Sequence, residues 1–311
     1  MNSNQKYDVV VVGAGSAGLQ AAQTLGRMRR RVAVFSTDRF RNDPADAMHN
    51  FLGHDGTNPA ELRLAARKDL DTYDTVEILE RAVTAISGEA GDFTVEVDGA
   101  PSVTARRVLL ATGVADTLPD VPGLDGLFGD VVAHCPFCHG FEYADTPVGI
   151  LGIAPHVPVM AALVAPIASR VVVLTNGEEL APEVAATLAG LGAEVHTGAV
   201  AGTCRGSLGV RVDFTDGHHV ELGGMFVKTD WAMSTPFAEQ LGLELSEVGA
   251  IVVDAMGRTS IPGVYAAGDI AQGPGMPMPM ASVLTAASAG LVAGAACVQD
   301  EALATTAAAV G

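Results

Sequence analysis

The chain has 311 residues, 49% of them hydrophobic, which suffices for two ordinary domains with separate cores and excludes a disordered chain. Lysine and arginine number 18 against 36 aspartate and glutamate, a formal charge of −18. That field repels nucleic acid and anionic membrane surfaces and favours a neutral or small partner.

The N-terminal run MNSNQKYDVVVVGAG has no charged region followed by a long apolar stretch and cleavage site. No export signal is read there, and the expected location is the cytoplasm. Residues 7–12, YDVVVV, are short, continuous and β-branched, the pattern of a fully buried strand. Gly13-Ala14-Gly15-Ser16-Ala17-Gly18 follows, then a helical stretch to about Met28 and a second buried strand, Arg31 to Phe35. In that context G-x-G-x-x-G marks a dinucleotide site. Gly13 permits the tight turn, Gly15 lets a pyrophosphate approach the backbone, and Gly18 allows close helix–strand packing. The helix N-terminus adds N–H donors and a positive dipole end. The second strand leads to Ser36 where an acidic residue is expected to hold ribose hydroxyls, with Asp38 two further on. A serine can still hydrogen-bond a hydroxyl.

Residues 106–113, RRVLLATG, form a strand ending in Ala111-Thr112-Gly113. Residues 134–140, HCPFCHG, place two cysteines two residues apart between His134 and His139. C-x-x-C-H fits covalent haem attachment, half a zinc site or a redox-active disulfide. Haem needs a route out of the cytoplasm, which the sequence does not show. Zinc wants a second close pair, whereas Cys204 and Cys297 are solitary and are read as small buried hydrophobes. No metal site is expected. Residues 261–270, IPGVYAAGDI, are a strand ending in Gly268-Asp269. The loop Gly273 to Met280 is stiff, apolar and methionine-rich, suited to walling a pocket or filling a core. Residues 283–298, rich in alanine and glycine, are too short to span a bilayer and read as a buried helix. Trp231, the one tryptophan, has no reading beyond packing.

G-x-G-x-x-G, then ATG, then a C-terminal GD resembles the FAD-binding disulfide reductases. The chain as a whole resembles the low-molecular-weight thioredoxin reductases. The resemblance implies an α/β flavoprotein of two dinucleotide-binding domains. Residues 1–117 and 248–311 make the FAD domain, and 118–247 an inserted domain carrying the CxxC. It implies FAD contacts from the Gly13–Gly18 turn, Ser36, Arg41, Asn42, His49, Asn50, Val83, Ala111, Thr112, Gly113, Gly268, Asp269, Ser282 and Val283. Ser282 replaces the family's usual glutamine. A homodimer is implied in the same way.

Thioredoxin reductases bind NADPH at a second G-x-G-x-x-A, and the matching stretch here departs from it. Gly152 keeps the first glycine, but Ala154 and Val157 take the second and third positions. Pro155 and Pro158 remove N–H donors where phosphate would need them. After the next strand, Arg170 to Leu174, the sequence reads Thr175-Asn176-Gly177-Glu178-Glu179. Two carboxylates stand where arginines would grip a 2′-phosphate. The chain therefore resembles the NADPH-independent dithiol oxidases of natural-product disulfides, of the gliotoxin and holomycin type. HCPFCHG, Arg41-Asn42, residues 49–56 (HNFLGHDG) and residues 236–242 (PFAEQLG) are similar to theirs. In that reading Cys135 exchanges with a small dithiol, Cys138 passes the electron pair to the flavin, and oxygen is the acceptor. His139 is the base and His134 its rival.

Overall fold

The computed structural model describes residues 6–310, so residues 1–5, part of the stretch read for an export signal, lie outside it. The chain falls into two compact units. One holds residues through 41, 60–115 and from 232 on; the other holds 42–59 and 116–231.

Strand β1 (Tyr7–Val12), helix α1 (Ser16–Arg27) and strand β2 (Val32–Ser36) form as the sequence pattern predicts. Helix α2 (Pro59–Leu70) leads to β3 (Val76–Glu80), and a meander follows: β4 (Val83–Glu89), β5 (Asp92–Val97) and β6 (Ala100–Leu110). The sheet order is β3-β2-β1-β6-β5-β4, with the first three pairs parallel and the meander antiparallel. Val9 to Val12 are at most 5% exposed, because parallel strands covered on both faces need apolar side chains on both.

The chain leaves this unit through β7 (Val114–Thr117). The second unit then adds β8 (Val132–Ala133), α3 (Pro136–His139), β9 (Pro147–Leu151), α4 (Val157–Val164), β10 (Arg170–Leu174), α5 (Pro182–Gly190) and β11 (Glu194–His196). An antiparallel sheet of β12 (Val200–Arg205), β13 (Val210–Phe214) and β14 (His219–Leu222) precedes β15 (Gly224–Val227). The main sheet runs β11-β10-β9-β15-β8, all parallel. This is a second dinucleotide-type fold, and its core is separate from the first.

The return passes through β16 (Asp230–Met233), where Trp231 is half-buried. Helix α6 (Phe237–Gln240), β17 (Ile251–Val252), β18 (Val264–Ala266) and β19 (Ala271–Gln272) complete the first unit, with β18 parallel to β6. The boundary read at 247 thus falls later than the change of unit after 231. Phe237 is buried, and the Gln240 side-chain carbonyl accepts the Ile86 N–H at 3.3 Å within the first unit.

The final helix, α7 (Val283–Val310), is longer than residues 283–298. Nothing in the alanine-rich continuation breaks it before Gly311. It is also less buried than expected: it is long and apolar enough to cross a membrane by length and composition, and 33% of its most apolar window is buried. The buried part packs on α1, where a Cβ at Gly290 would stand 2.0 Å from the Ala17 carbonyl oxygen. Arg258 anchors the helix by donating from Nε and Nη2 to Asp300, at 2.8 and 2.6 Å, and the Tyr265 hydroxyl donates to the same carboxylate.

Candidate active site

The first glycine turn is built for a close approach. Gly13 has φ +109°, and a Cβ there would lie 2.2 Å from the Ala111 carbonyl oxygen. A Cβ on Gly18 would lie 1.8 Å from the Gly13 oxygen, so the helix can pass only if that residue has no side chain. Over Gly15 the nearest atom would be Phe40 Cδ1 at 3.9 Å, which leaves open space against the backbone. Gly15 is the N-cap of α1 and supplies no side-chain cap, so the first-turn N–H groups face that space. Ser36 is buried at the end of β2, and its hydroxyl accepts the Asp38 N–H at 3.0 Å. A cavity of about 400 Å³ opens beside it, lined by Ser36, Asp38, Glu80, Arg81 and Asp98 among others. Arg67 pairs with Glu80 and reaches the Ser36 hydroxyl at 3.4 Å, a participant the sequence reading missed. An open cradle at a helix N-terminus, followed by a polar cavity at the next strand end, fits the pyrophosphate and ribose of FAD.

The other expected cofactor residues in this unit have defined places. Val83 opens β4, while Ala14, Ala17 and Ala111 are buried. Thr112 accepts from the Thr235 hydroxyl at 3.4 Å, and Gly113 and Gly268 both have positive φ. Asp269 pairs with Arg41 at 2.8 Å. Ser282 caps α7: its hydroxyl accepts the Thr285 N–H at 3.1 Å, and Val283 is the first helical residue. Ser-x-x-Thr before an apolar run was the available signal for that cap. In the adjoining loop Met278 and Met280 are exposed, at 52% and 63%. Asn42, His49 and Asn50 belong to the second unit.

The second glycine turn starts in the same way and then diverges. Gly152 has φ +123° and donates to the Leu174 carbonyl at 2.9 Å, as Gly13 donates to that of Phe35 at 2.8 Å. Helix α1 begins three residues after its glycine, whereas α4 begins five after Gly152. The Val157 N–H is spent on the Ala154 carbonyl at 2.9 Å, and Pro155 and Pro158 have none to give. At the end of β10, Thr175 is buried, the Asn176 side chain accepts the Val200 N–H, and Glu178 and Glu179 are exposed. Of the donors this turn could offer a phosphate, Val157 is bonded within the turn and Pro155 and Pro158 have none, and the following strand end carries carboxylates in place of basic side chains.

Cys135 and Cys138 form a disulfide with Cα atoms 5.3 Å apart, across the short helix α3. Cys135 is the N-cap and Pro136 the first residue, a position where the missing N–H is harmless. His139 closes the helix. Its Nε2 lies 3.2 Å from the Gly129 carbonyl oxygen, which can only accept, so Nε2 carries the hydrogen. Nδ1 is buried and has no hydrogen-bond partner among the described residues. It therefore holds a lone pair. Burial pushes the His139 pKa below its ordinary value, against the opposing pull of the Gly129 carbonyl and Glu142. His134 is placed differently, its ring stacked on Phe128 with centroids 5.9 Å apart. Phe137 is 69% exposed.

His49 lies between two carboxylates that sequence reasoning did not assign: Nε2 is 3.3 Å from Glu142 and Nδ1 is 3.5 Å from Asp55. Glu142 sits three residues beyond His139, a spacing that could have flagged it. Cys204 is exposed on β12, contrary to the expectation of burial, because it falls on the outward alternation of an edge strand; Cys297 is buried as expected. Among the described residues no cluster of three or more His, Cys, Asp or Glu could hold a metal.

Comparison with known proteins agrees with this arrangement. Residues 7–290 match the family described as pyridine nucleotide-disulphide oxidoreductase. Thioredoxin reductase tcpT of Claviceps purpurea is 33% identical, covering 86% of this chain and 88% of its own. Thioredoxin reductase aclD of Aspergillus oryzae is 34% identical, covering 85% and 88%. The crystal structure of HlmI superposes with a TM-score of 0.88 at 32% identity, covering 99% of this chain and 98% of that one. With the glycine cradle of one unit and the cysteine pair of the other, these likenesses settle the family. The chain is a thioredoxin-reductase-like member of the pyridine nucleotide-disulphide oxidoreductases, an FAD-dependent thiol:disulfide oxidoreductase.

Proposed function

We propose that the protein is a dithiol oxidase that closes an intramolecular disulfide in a small secondary metabolite, with oxygen as the final acceptor. The observation that carries this reading is the second glycine turn, where Val157 spends its N–H on Ala154, Pro155 and Pro158 have none, and the neighbouring strand end is acidic. A chain that cannot draw electrons from NADPH takes them from the thiol side.

The cysteines and His139 perform the exchange. One substrate thiol gives its proton to His139 Nδ1, and the thiolate attacks Cys135, breaking the Cys135–Cys138 bond and forming a mixed disulfide. The second substrate thiol then displaces Cys135. The substrate leaves as a disulfide, and both cysteines are reduced by the two electrons it has lost. His139 suits the task because its lone pair is fixed by the Gly129 carbonyl and burial keeps it unprotonated near neutrality. The Gly13–Gly18 turn, Ser36, Val83, Ala111 to Gly113, Gly268 and Asp269 would hold FAD, with Arg41, Asn42, His49, Asn50, Ser282 and Val283 assigned by family likeness. Bound FAD supplies a two-electron acceptor that oxygen can re-oxidise. The same reading makes the protein a cytoplasmic homodimer with no membrane or nucleic-acid partner, and the charge of −18 supports the last two exclusions.

The test is aerobic turnover of a small dithiol by the purified flavoprotein. One hydrogen peroxide per disulfide closed is expected, and His139→Ala should slow the thiol half-reaction by roughly 10²–10⁴-fold. Negligible oxygen uptake, with turnover supported by reduced ferredoxin and thioredoxin, would make the protein a ferredoxin-type thioredoxin reductase instead.

A further inference from the structure

His139 Nδ1 is buried and unpartnered, yet a carboxylate stands close enough to affect it. Glu142 follows three residues on, through α3 and the 3₁₀ turn Phe141–Tyr143, and its charge reaches the His139 ring. A carboxylate that swung onto Nδ1 would stabilise the protonated imidazole and occupy the lone pair that has to receive a thiol proton. In the structure Glu142 faces His49 instead, with Oε1 3.3 Å from Nε2. Asp55 holds the opposite edge of that ring at 3.5 Å and also accepts the Asn50 N–H at 2.8 Å, which braces the loop at a residue with φ +63°.

We propose that His49 is a positioning residue for the redox centre: set between Asp55 and Glu142, it draws the Glu142 carboxylate away from His139 and keeps Nδ1 open. The substrate proton in this account rests on the dithiol-oxidase reading; the geometry does not. The other charged or titratable neighbours are already engaged. Asp130, the third charged group to reach the ring, is paired with Arg205. The Tyr143 hydroxyl donates to the Asp130 carbonyl at 2.6 Å, and burial pushes its pKa far up, so it stays neutral. His134 stacks on Phe128, and α4, packed beside α3, has no titratable side chain.

The experiment is a pH titration of His139 in the oxidised flavoprotein, read from the ring resonances of histidine-labelled protein. His49→Ala should raise the His139 midpoint, Glu142→Gln should lower it, and most of the His49→Ala shift should vanish in the double variant. His49→Gln, which keeps an N–H for Glu142 but lacks the direct effect of the His49 charge on His139, should raise the midpoint less than His49→Ala and guards against a merely unfolded alanine variant. In a parallel assay compared at equal bound FAD, since His49 is also an expected FAD contact, flavin reduction by dithiothreitol at pH 6 should slow roughly three- to tenfold in His49→Ala and be faster in the double variant than in that single one. An unchanged midpoint in His49→Ala, or a shift that persists in full with Glu142→Gln, overturns the proposal. The resonance titration uses no dithiol, so failure of the oxidase reading would leave its outcome intact.

Discussion

The two glycine turns of this chain begin alike and then diverge. Gly13 and Gly152 have nearly the same φ and donate to the next strand at nearly the same distance. Both follow the central strand of parallel pairings ordered third-second-first-fourth. The shared start of the two turns therefore belongs to the fold. What separates the turns is the next five residues. In the first unit the helix starts at once and its N–H groups point into open space over Gly15. In the second the helix starts two residues later, and Pro155, Pro158 and the Val157–Ala154 hydrogen bond leave fewer donors at its start. Two dinucleotide-type folds can share a core while one loop and one strand end differ in what they offer a ligand.

Substitutions that exchange features between the turns should break the comparison in a graded way. Gly18→Val gives the first turn the residue found at Val157, and its Cβ collides with the Gly13 oxygen at 1.8 Å. Loss of bound FAD and of soluble expression is expected, while Val157→Gly should leave the protein yellow and folded, as read by absorbance and thermal melting. Gly15→Ala is milder. Its methyl meets nothing closer than 3.9 Å in the protein, so the fold should survive while FAD affinity falls on the order of ten- to a hundredfold, about 1.4 kcal/mol per tenfold.

The smallest effect concerns the brace behind the first turn. Helix α7 lies on α1 and is tied down by Arg258 to Asp300. Asp300→Asn should cost about 1–3 kcal/mol in denaturant melts at pH 7. The Asp300 pKa is lowered, chiefly by its Arg258 hydrogen bond, so this stability is present above the unfolded carboxylate pKa. It is lost as pH falls through the lower folded value. The gap between variant and wild type should therefore close below about pH 4.

Much of this was legible in the residues. β-branched runs and glycine spacing located both sheets, because parallel strands buried on two faces leave a continuous apolar signal. The cysteine pair was legible as chemistry, and only its surroundings could choose among haem, zinc and disulfide. What escaped were relations between distant segments. Residues 42–59 group with the second unit, where Pro44 lies against Gly129 and His49 against Glu142. No local pattern encodes such pairings. Nor did composition show which nitrogen of His139 is free; that depends on the Gly129 carbonyl, ten residues away.

The central claim is that only the first turn serves a dinucleotide, so electrons enter from thiols. Its most direct test is anaerobic rapid mixing of the oxidised flavoprotein with NADPH, with NADH and with a small dithiol, following flavin absorbance. The account predicts bleaching by the dithiol and no useful rate with either nicotinamide. Rapid bleaching by NADPH would show that the Gly152 turn binds after all, and would contradict it.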